Sequence, residues 1–197
     1  MKGFPLLGVH FLPCAFQRRF IQWAPRGAEG GYKGEVLPEN IDALRTAGKL
    51  VELDGKLYVP DENGNVSEKK SDRLVDTRSH YGLIVGEDGS VAMVLLALSS
   101  TQIKKSKRLM SILNEAKVAG PNGFVTPPTW MNRVKLTTVL ENNDEGTWHG
   151  VRFEADGFIG SQELYEAGKT FHNAIAKGAA RANFAEGEDV PAGDGKF

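Results

Sequence analysis

Two stretches of this chain combine positive charge with flat aromatic rings, the mixture that a single-stranded nucleic acid requires of its partner. The first runs over residues 133–154. Strand alternation puts Arg133, Lys135 and Thr137 on one face and Val134, Leu136 and Thr138 on the other. In the following strand, Trp148, Gly150 and Arg152 share one face, and Val151 and Phe153 share the other. If the apolar faces meet in a core, Arg133, Lys135, Trp148 and Arg152 point to solvent. Cations there would contact phosphates, and the indole would stack on a base at about 1–3 kcal/mol per base. The competing reading is a half-buried Trp148 covered by the methylene stems of the arginines.

The second stretch, residues 16–23, reads Phe-Gln-Arg-Arg-Phe-Ile-Gln-Trp and extends to Arg26 and Tyr32. Arg18, Arg19 and Arg26 suit phosphate contacts, and Trp23 suits stacking. Phe16, Phe20 and Trp23 equally suit the core side of an amphipathic segment. A third source of charge is the predicted helix over residues 99–117. Lys104, Lys105, Lys107 and Arg108 crowd its first half, where they oppose the helix dipole at a few tenths of a kcal/mol each. A solvated helix face explains them as well as a phosphate track does. Trp130 is a further candidate for stacking.

No other chemistry is spelled out. His10 and Cys14 are four apart but have no second ligand pair, so no metal site is expected. His80, His149 and His172 are scattered, and Asp72 and Asp76 near Ser79 and His80 resemble an ordinary polar loop. There is no nucleophile elbow, phosphate-binding loop, zinc-protease helix or C-x-x-C pair. The chain therefore reads as a non-enzyme that needs no cofactor.

The elements that must position these residues read as strand, strand, helix, strand, strand over residues 81–158. Residues 81–85 and 91–98 flank a Glu-Asp-Gly-Ser turn. The second run is almost wholly apolar, which predicts a strand buried on both faces. Ser99 and Gln102 have capping-box spacing ahead of the helix, whose apolar stripe is Ile103, Met110 and Leu113, widened by Leu109, Ile112 and Ala116. A helix between the third and fourth strands of a small β-domain is the layout of an OB-fold. The predicted fold is α+β, mainly β: an OB-fold-like five-stranded barrel with that helix inserted and a C-terminal helix. Ser161 caps the last helix, residues 162–177, with Gly178 as its stop. Upstream, Asp54-Gly55 between short apolar runs specifies a two-residue hairpin, and residues 38–47 form a short helix. Residues 11–23 hold a strand or short helix. Residues 60–76 and 121–128 are loops.

Composition sets the frame. The chain has 197 residues, 41% of them hydrophobic, which suits one medium domain with decorations or two small ones and allows a real core. No apolar run is long enough for a membrane helix, and the N-terminus lacks a signal-peptide cleavage site. The single cysteine excludes an internal disulfide and fits a reducing compartment, so a cytoplasmic location is expected. The net charge is −1. Residues 185–197 carry Glu186, Glu188, Asp189 and Asp194 against Lys196, a net of −3, which leaves +2 for the rest. A mildly basic body over residues 1–184, one OB-like domain, followed by a flexible acidic tail over 185–197, suits nucleic-acid binding better than the total charge does.

Three segments carry a family likeness. They are Ser-Ser-Thr-Gln-Ile-Lys-Lys-Ser-Lys-Arg at 99–108, Leu-Thr-Thr-Val-Leu-Glu-Asn-Asn-Asp-Glu-Gly-Thr-Trp-His-Gly at 136–150, and Glu-Leu-Tyr-Glu-Ala-Gly-Lys-Thr-Phe at 163–171. Over residues 80–180 the chain resembles bacteriophage single-stranded-DNA-binding proteins of OB-fold type. The resemblance implies a protein that coats single-stranded DNA during phage replication or recombination in the host cytoplasm, largely without sequence preference, and that can form homo-oligomers. The tail, ending in Phe197, resembles the acidic tips with which such proteins recruit replication partners. The expected contacts are Arg18, Arg19, Trp23, Lys104, Lys105, Lys107, Arg108, Arg133, Lys135, Trp148 and Arg152, with Glu186, Glu188, Asp189, Asp194 and Phe197 for partners. Two rivals stand beside this reading: a phage structural or assembly component that ignores nucleic acid, favoured by the near-zero charge, and an accessory nuclease or hydrolase.

Overall fold

A computed structural model describes residues 8–25, 27, 31–86, 88–143 and 146–178. Ten strands and three α-helices are described: β1 (Val9–Trp23), β2 (Tyr32–Val36), α1 (Ile41–Thr46), β3 (Val51–Leu53), β4 (Lys56–Tyr58), β5 (Arg73–Val85), β6 (Val91–Ser99), α2 (Ile103–Glu115), β7 (Val118–Gly120), β8 (Gly123–Val125), β9 (Asn132–Asn143), β10 (Gly146–Phe158) and α3 (Gln162–Ala176). The fold is α+β and mainly β. Eight strands are hydrogen-bonded in the order β10-β9-β1-β5-β4-β3, with β2 on β1 and β6 on β5, while β7 and β8 form a separate hairpin. The described residues divide into two compact units, one of residues 8–16 and 80–178, the other of residues 17–79.

In the second unit, the later part of β1 pairs antiparallel with β2, Phe20 opposite Val36. β3 and β4 form the predicted hairpin, with Asp54 at φ 49° and Gly55 at φ 71°. Both central residues must be left-handed in a turn that matches strand twist, and Asp-Gly tolerates this. Residues 38–47 are helical as expected, a 3₁₀ turn at Pro38–Asn40 followed by α1. Phe20, Ile41, Leu50, Leu57 and Leu74 form the core of this unit.

In the first unit β9 and β10 pair over their whole length, with Leu136 opposite Phe153 and Thr137 opposite Arg152. The predicted alternation holds: Val134, Leu136 and Phe153 are buried together with Phe11 and Leu98. α2 closes this core with Leu109, Ile112 and Leu113. Its fourth buried residue is Ser106, whose Oγ lies 2.7 Å from Nε2 of the buried His80 on β5. A buried hydroxyl needs such a partner, so this contact fixes how the helix is rotated. A second core joins Leu12, Cys14 and Leu83 to Trp130 and to Leu164, Ala167 and Phe171 of α3. Ser161 caps α3 as expected, accepting from the Leu164 N–H at 3.3 Å.

Five expectations are corrected. Residues 60–76 are not all loop, because residues 73–76 open β5, where Leu74 joins the core of the second unit. The five-stranded barrel is not closed: among the described residues β6 and β10 do not pair, and α2 packs against both. β6 is not buried on both faces. Among the described residues it is bonded to β5 alone and nothing covers its outer side, so Met93 is 72% exposed. The capping box does not form, since Ser100–Gln102 make a 3₁₀ turn with no side-chain cap at Ser99; the Gln102 amide instead reaches Glu141 and the backbone of Val151. The loop at 121–128 contains β8, half of a hairpin with Gly120-Pro121-Asn122-Gly123 as its turn, Pro at the second position and Gly at the fourth being a common turn signature.

One close approach is readily tested. A Cβ at Gly82 of β5 would stand 2.2 Å from the Phe11 ring and 2.5 Å from the Leu12 carbonyl oxygen. Overpacking a core costs about 1–3 kcal/mol, so Gly82→Ala should lower the urea midpoint by that equivalent. Gly160→Ala, with open space around the new methyl, should leave it within error.

Candidate nucleic-acid interface

The candidate interface is built where α2 runs beside β10. The backbone N–H of Val151 on β10 donates to the Gln102 side-chain oxygen at 3.5 Å, a long contact at the strand that ends the sheet. This places the first turns of α2 over the far end of the β9–β10 hairpin. There Glu141 of β9 gathers three donors: the Lys105 ammonium, the Gln102 amide at 3.3 Å and the Trp148 indole N–H at 3.2 Å. Trp148 stands directly opposite Glu141 in the register. Gly150, next along that face, makes the arrangement possible, because a Cβ there would lie 2.6 Å from the Glu141 carboxyl carbon. The hydrogen bond from Lys105 is the main reason that Glu141 is held below the usual carboxylate range, helped by Gln102, the Lys105 charge and Trp148.

At the other end of the hairpin, Arg133 donates from Nε to the Asp156 carboxylate at 2.8 Å and to its carbonyl oxygen at 3.1 Å. His10 Nδ1 lies 2.9 Å from the same carboxylate. Lys135 is exposed, with its methylene stem laid across Gly8, and Glu154 stands opposite it in the register. Arg152 is exposed on the same face. Lys104, Lys107 and Arg108 are exposed on α2, at spacings of three and four that share one helix face. These five, Lys104, Lys107, Arg108, Lys135 and Arg152, make no ion pair among the described residues. Lys105 and Arg133 are engaged by carboxylates, and Trp148 is half-buried with its N–H held.

The residues expected from β1 lie in the other unit. Arg18 forms a two-pronged pair with Asp76, at 2.9 and 2.8 Å, and its guanidinium sits 5.3 Å from the Phe20 ring centre. That hydrogen bond raises its already high pKa. Arg19 lies 3.7 Å from Glu35 and donates to the Arg18 carbonyl. Trp23 is half-buried, edge-on to Tyr32 at 6.2 Å. Trp130 packs between α3 and the second core, 4.6 Å from the His172 ring, where Gly168 lets the helix approach. Arg26 and the tail residues Glu186, Glu188, Asp189, Asp194 and Phe197 lie outside the described residues.

Phe124 on β8 is 80% exposed and was missed; the Pro–Gly turn just before it was the available signal. Arg73 and Arg78 of β5 were also missed. Each has a buried Nε with no hydrogen-bond partner, and no pattern in the sequence marks them. Burial pushes the Cys14 thiol up to about 12, which leaves it unreactive at neutral pH. Among the described residues no cluster of His, Cys, Asp or Glu could hold a metal ion, and no helix is long and apolar enough to cross a membrane.

The lowered Glu141 pKa has a pH signature. A carboxylate held below its ordinary value stabilises the fold fully above that ordinary value, and the contribution fades as pH falls through the folded value. Urea unfolding at pH 7 should therefore find Glu141→Gln less stable than the wild type, and the gap should narrow as the pH is lowered to 3. A gap that persists unchanged at pH 3 would show that the charge on Glu141 is not what matters.

No curated protein and no solved structure matches the chain. A family model does match, over residues 4–181, so nearly the whole of the described chain is covered. The chain belongs to the Pam3 phage gp34-like protein family, a family of phage proteins.

Proposed function

We propose that this phage protein is a non-enzymatic, largely sequence-independent single-stranded-DNA-binding protein that acts in phage DNA replication or recombination. The observation that carries the reading is the set of five exposed cations without ion pairs on α2 and the β9–β10 face, beside a tethered Trp148. Phosphates supply the counter-charge that these cations lack, and an indole held by its N–H keeps a ring face fixed for a base. The succession β1, β5, β6, α2, β9, β10 in the first unit supports it further. It follows the strand and helix order of an OB-fold, a barrel that is often partly open and that commonly takes oligonucleotides. Here the opening lies between β6 and β10.

A second reading, a phage structural or assembly component, draws on one observation: β6 carries no charged residue, is bonded on one side only among the described residues and exposes Met93. Uncharged edge strands invite pairing with another chain.

Fluorescence anisotropy with labelled oligo-dT, and with duplex of equal length, separates the two. Single-strand binding through five cations predicts a slope of log K against log salt of roughly −3 to −4, with the duplex bound more weakly. A flat slope removes the electrostatic surface. Absence of binding at low salt, together with discrete oligomers in sedimentation without nucleic acid, moves the assembly reading ahead.

A further inference from the structure

A cleft of about 230 Å³ opens where the second half of α2 meets the start of β9 and the end of β10. Pockets for drug-sized ligands span about 300–1,000 Å³, so this one has room for a single flat ring. Its apolar walls come from Ile112, Ala116 and Ala155. Its one aromatic is Phe158, 38% exposed. Phe158 reaches the cleft through an irregularity in the strand: the β9–β10 register shifts between Ala155 and Phe158, and Gly157 within the shift has φ 78°. Bulges of this type re-aim a side chain and recur beside functional sites.

The polar groups at the cleft are few. Arg108 is exposed and makes no ion pair among the described residues, Arg133 is turned by its Nε bond to Asp156, and Glu115 is the single acid in the lining. Asn132 is buried and stands opposite Phe158. Its amide nitrogen donates to the carbonyls of Pro128 and Thr129, at 3.3 and 3.1 Å.

We infer that this cleft is a nucleobase pocket in which one base of a single strand stacks on Phe158 while the adjoining phosphate meets Arg108. The inference rests on the single-strand reading and gives one base of the bound strand a defined place. Stacking one base on an aromatic side chain changes affinity roughly tenfold, and a phosphate contact adds about 0.7 to the salt slope on a single strand.

The test uses the full chain and fluorescein-labelled oligo-dT. Phe158→Leu keeps an apolar filling but removes the flat face, and should weaken binding roughly tenfold with the salt slope unchanged. Phe158→Trp should restore it. Arg108→Gln should weaken binding and make the slope shallower by about 0.7. Urea midpoints check that each variant folds, and Arg108, being exposed, keeps the test open if Phe158→Leu does not. A wild type that fails to bind oligo-dT overturns both the single-strand reading and the pocket. A wild type that binds while either variant binds identically to it overturns the pocket alone, since base and phosphate must be lost together.

Discussion

The structure of the first unit depends on the packing of α2 against both β6 and β10. Leu109, Ile112 and Leu113 fill the space between Leu98 on one side and Val134, Leu136 and Phe153 on the other. Burying side chains of this size is worth about 1.5–3 kcal/mol each, against about 0.5–1.5 kcal/mol net for each strand–strand hydrogen bond. The helix thereby stands where the edges of a closed barrel would meet. The His80–Ser106 contact and the Gln102–Val151 contact fix its rotation and its position along β10. Once those are fixed, the helix must turn Lys104, Lys107 and Arg108 outward, whatever their cost against the dipole.

How much of this was legible follows from the range of each interaction. The Asp54-Gly55 turn and the Ser161 cap are decided within four residues, and both were read correctly. The alternation of β9 and β10 is a period-two pattern over one hairpin, and it also held. β6 failed because an apolar strand has the same sequence whether a second layer covers it or not, and none does. The barrel failed for a related reason: closure is a matter of whether two distant edges meet, and the stripe of α2 that packs against both β6 and β10 looks like any amphipathic stripe. The 15 residues of β1, interrupted by Pro13, gave no clean period, so strand and short helix could not be told apart there.

The candidate site was legible as an inventory and illegible as an allocation. Sequence identifies a cation, but whether it is available depends on a carboxylate that can be far along the chain. Asp76 is 58 residues from Arg18, and Asp156 is 23 from Arg133. Lys105 and its neighbours Lys104 and Lys107 are indistinguishable in the sequence, yet only Lys105 finds an acid, because only its position on the helix faces Glu141. The role of Gly150 was hidden for the same reason. It reads as a weak point in a strand, and its use, making room for the Glu141 carboxylate, depends on a cross-strand neighbour.

This allocation also reconciles a net charge of −1 with a surface for polyanions. A protein need not be basic in total to bind phosphates; it must keep some cations free of its own acids within one Debye length, about 8–10 Å, of the ligand. On β1 the two arginines are paired with Asp76 and Glu35, so that stretch presents little free charge despite its sequence. Among the described residues the acid that pairs with a cation of α2 is Glu141, and it is occupied by Lys105, Gln102 and Trp148 together. One carboxylate thus neutralises a single lysine, fixes the indole, and leaves the outer row of the helix uncompensated. The same number of charges spread evenly over the surface would give neither the local field nor the fixed ring.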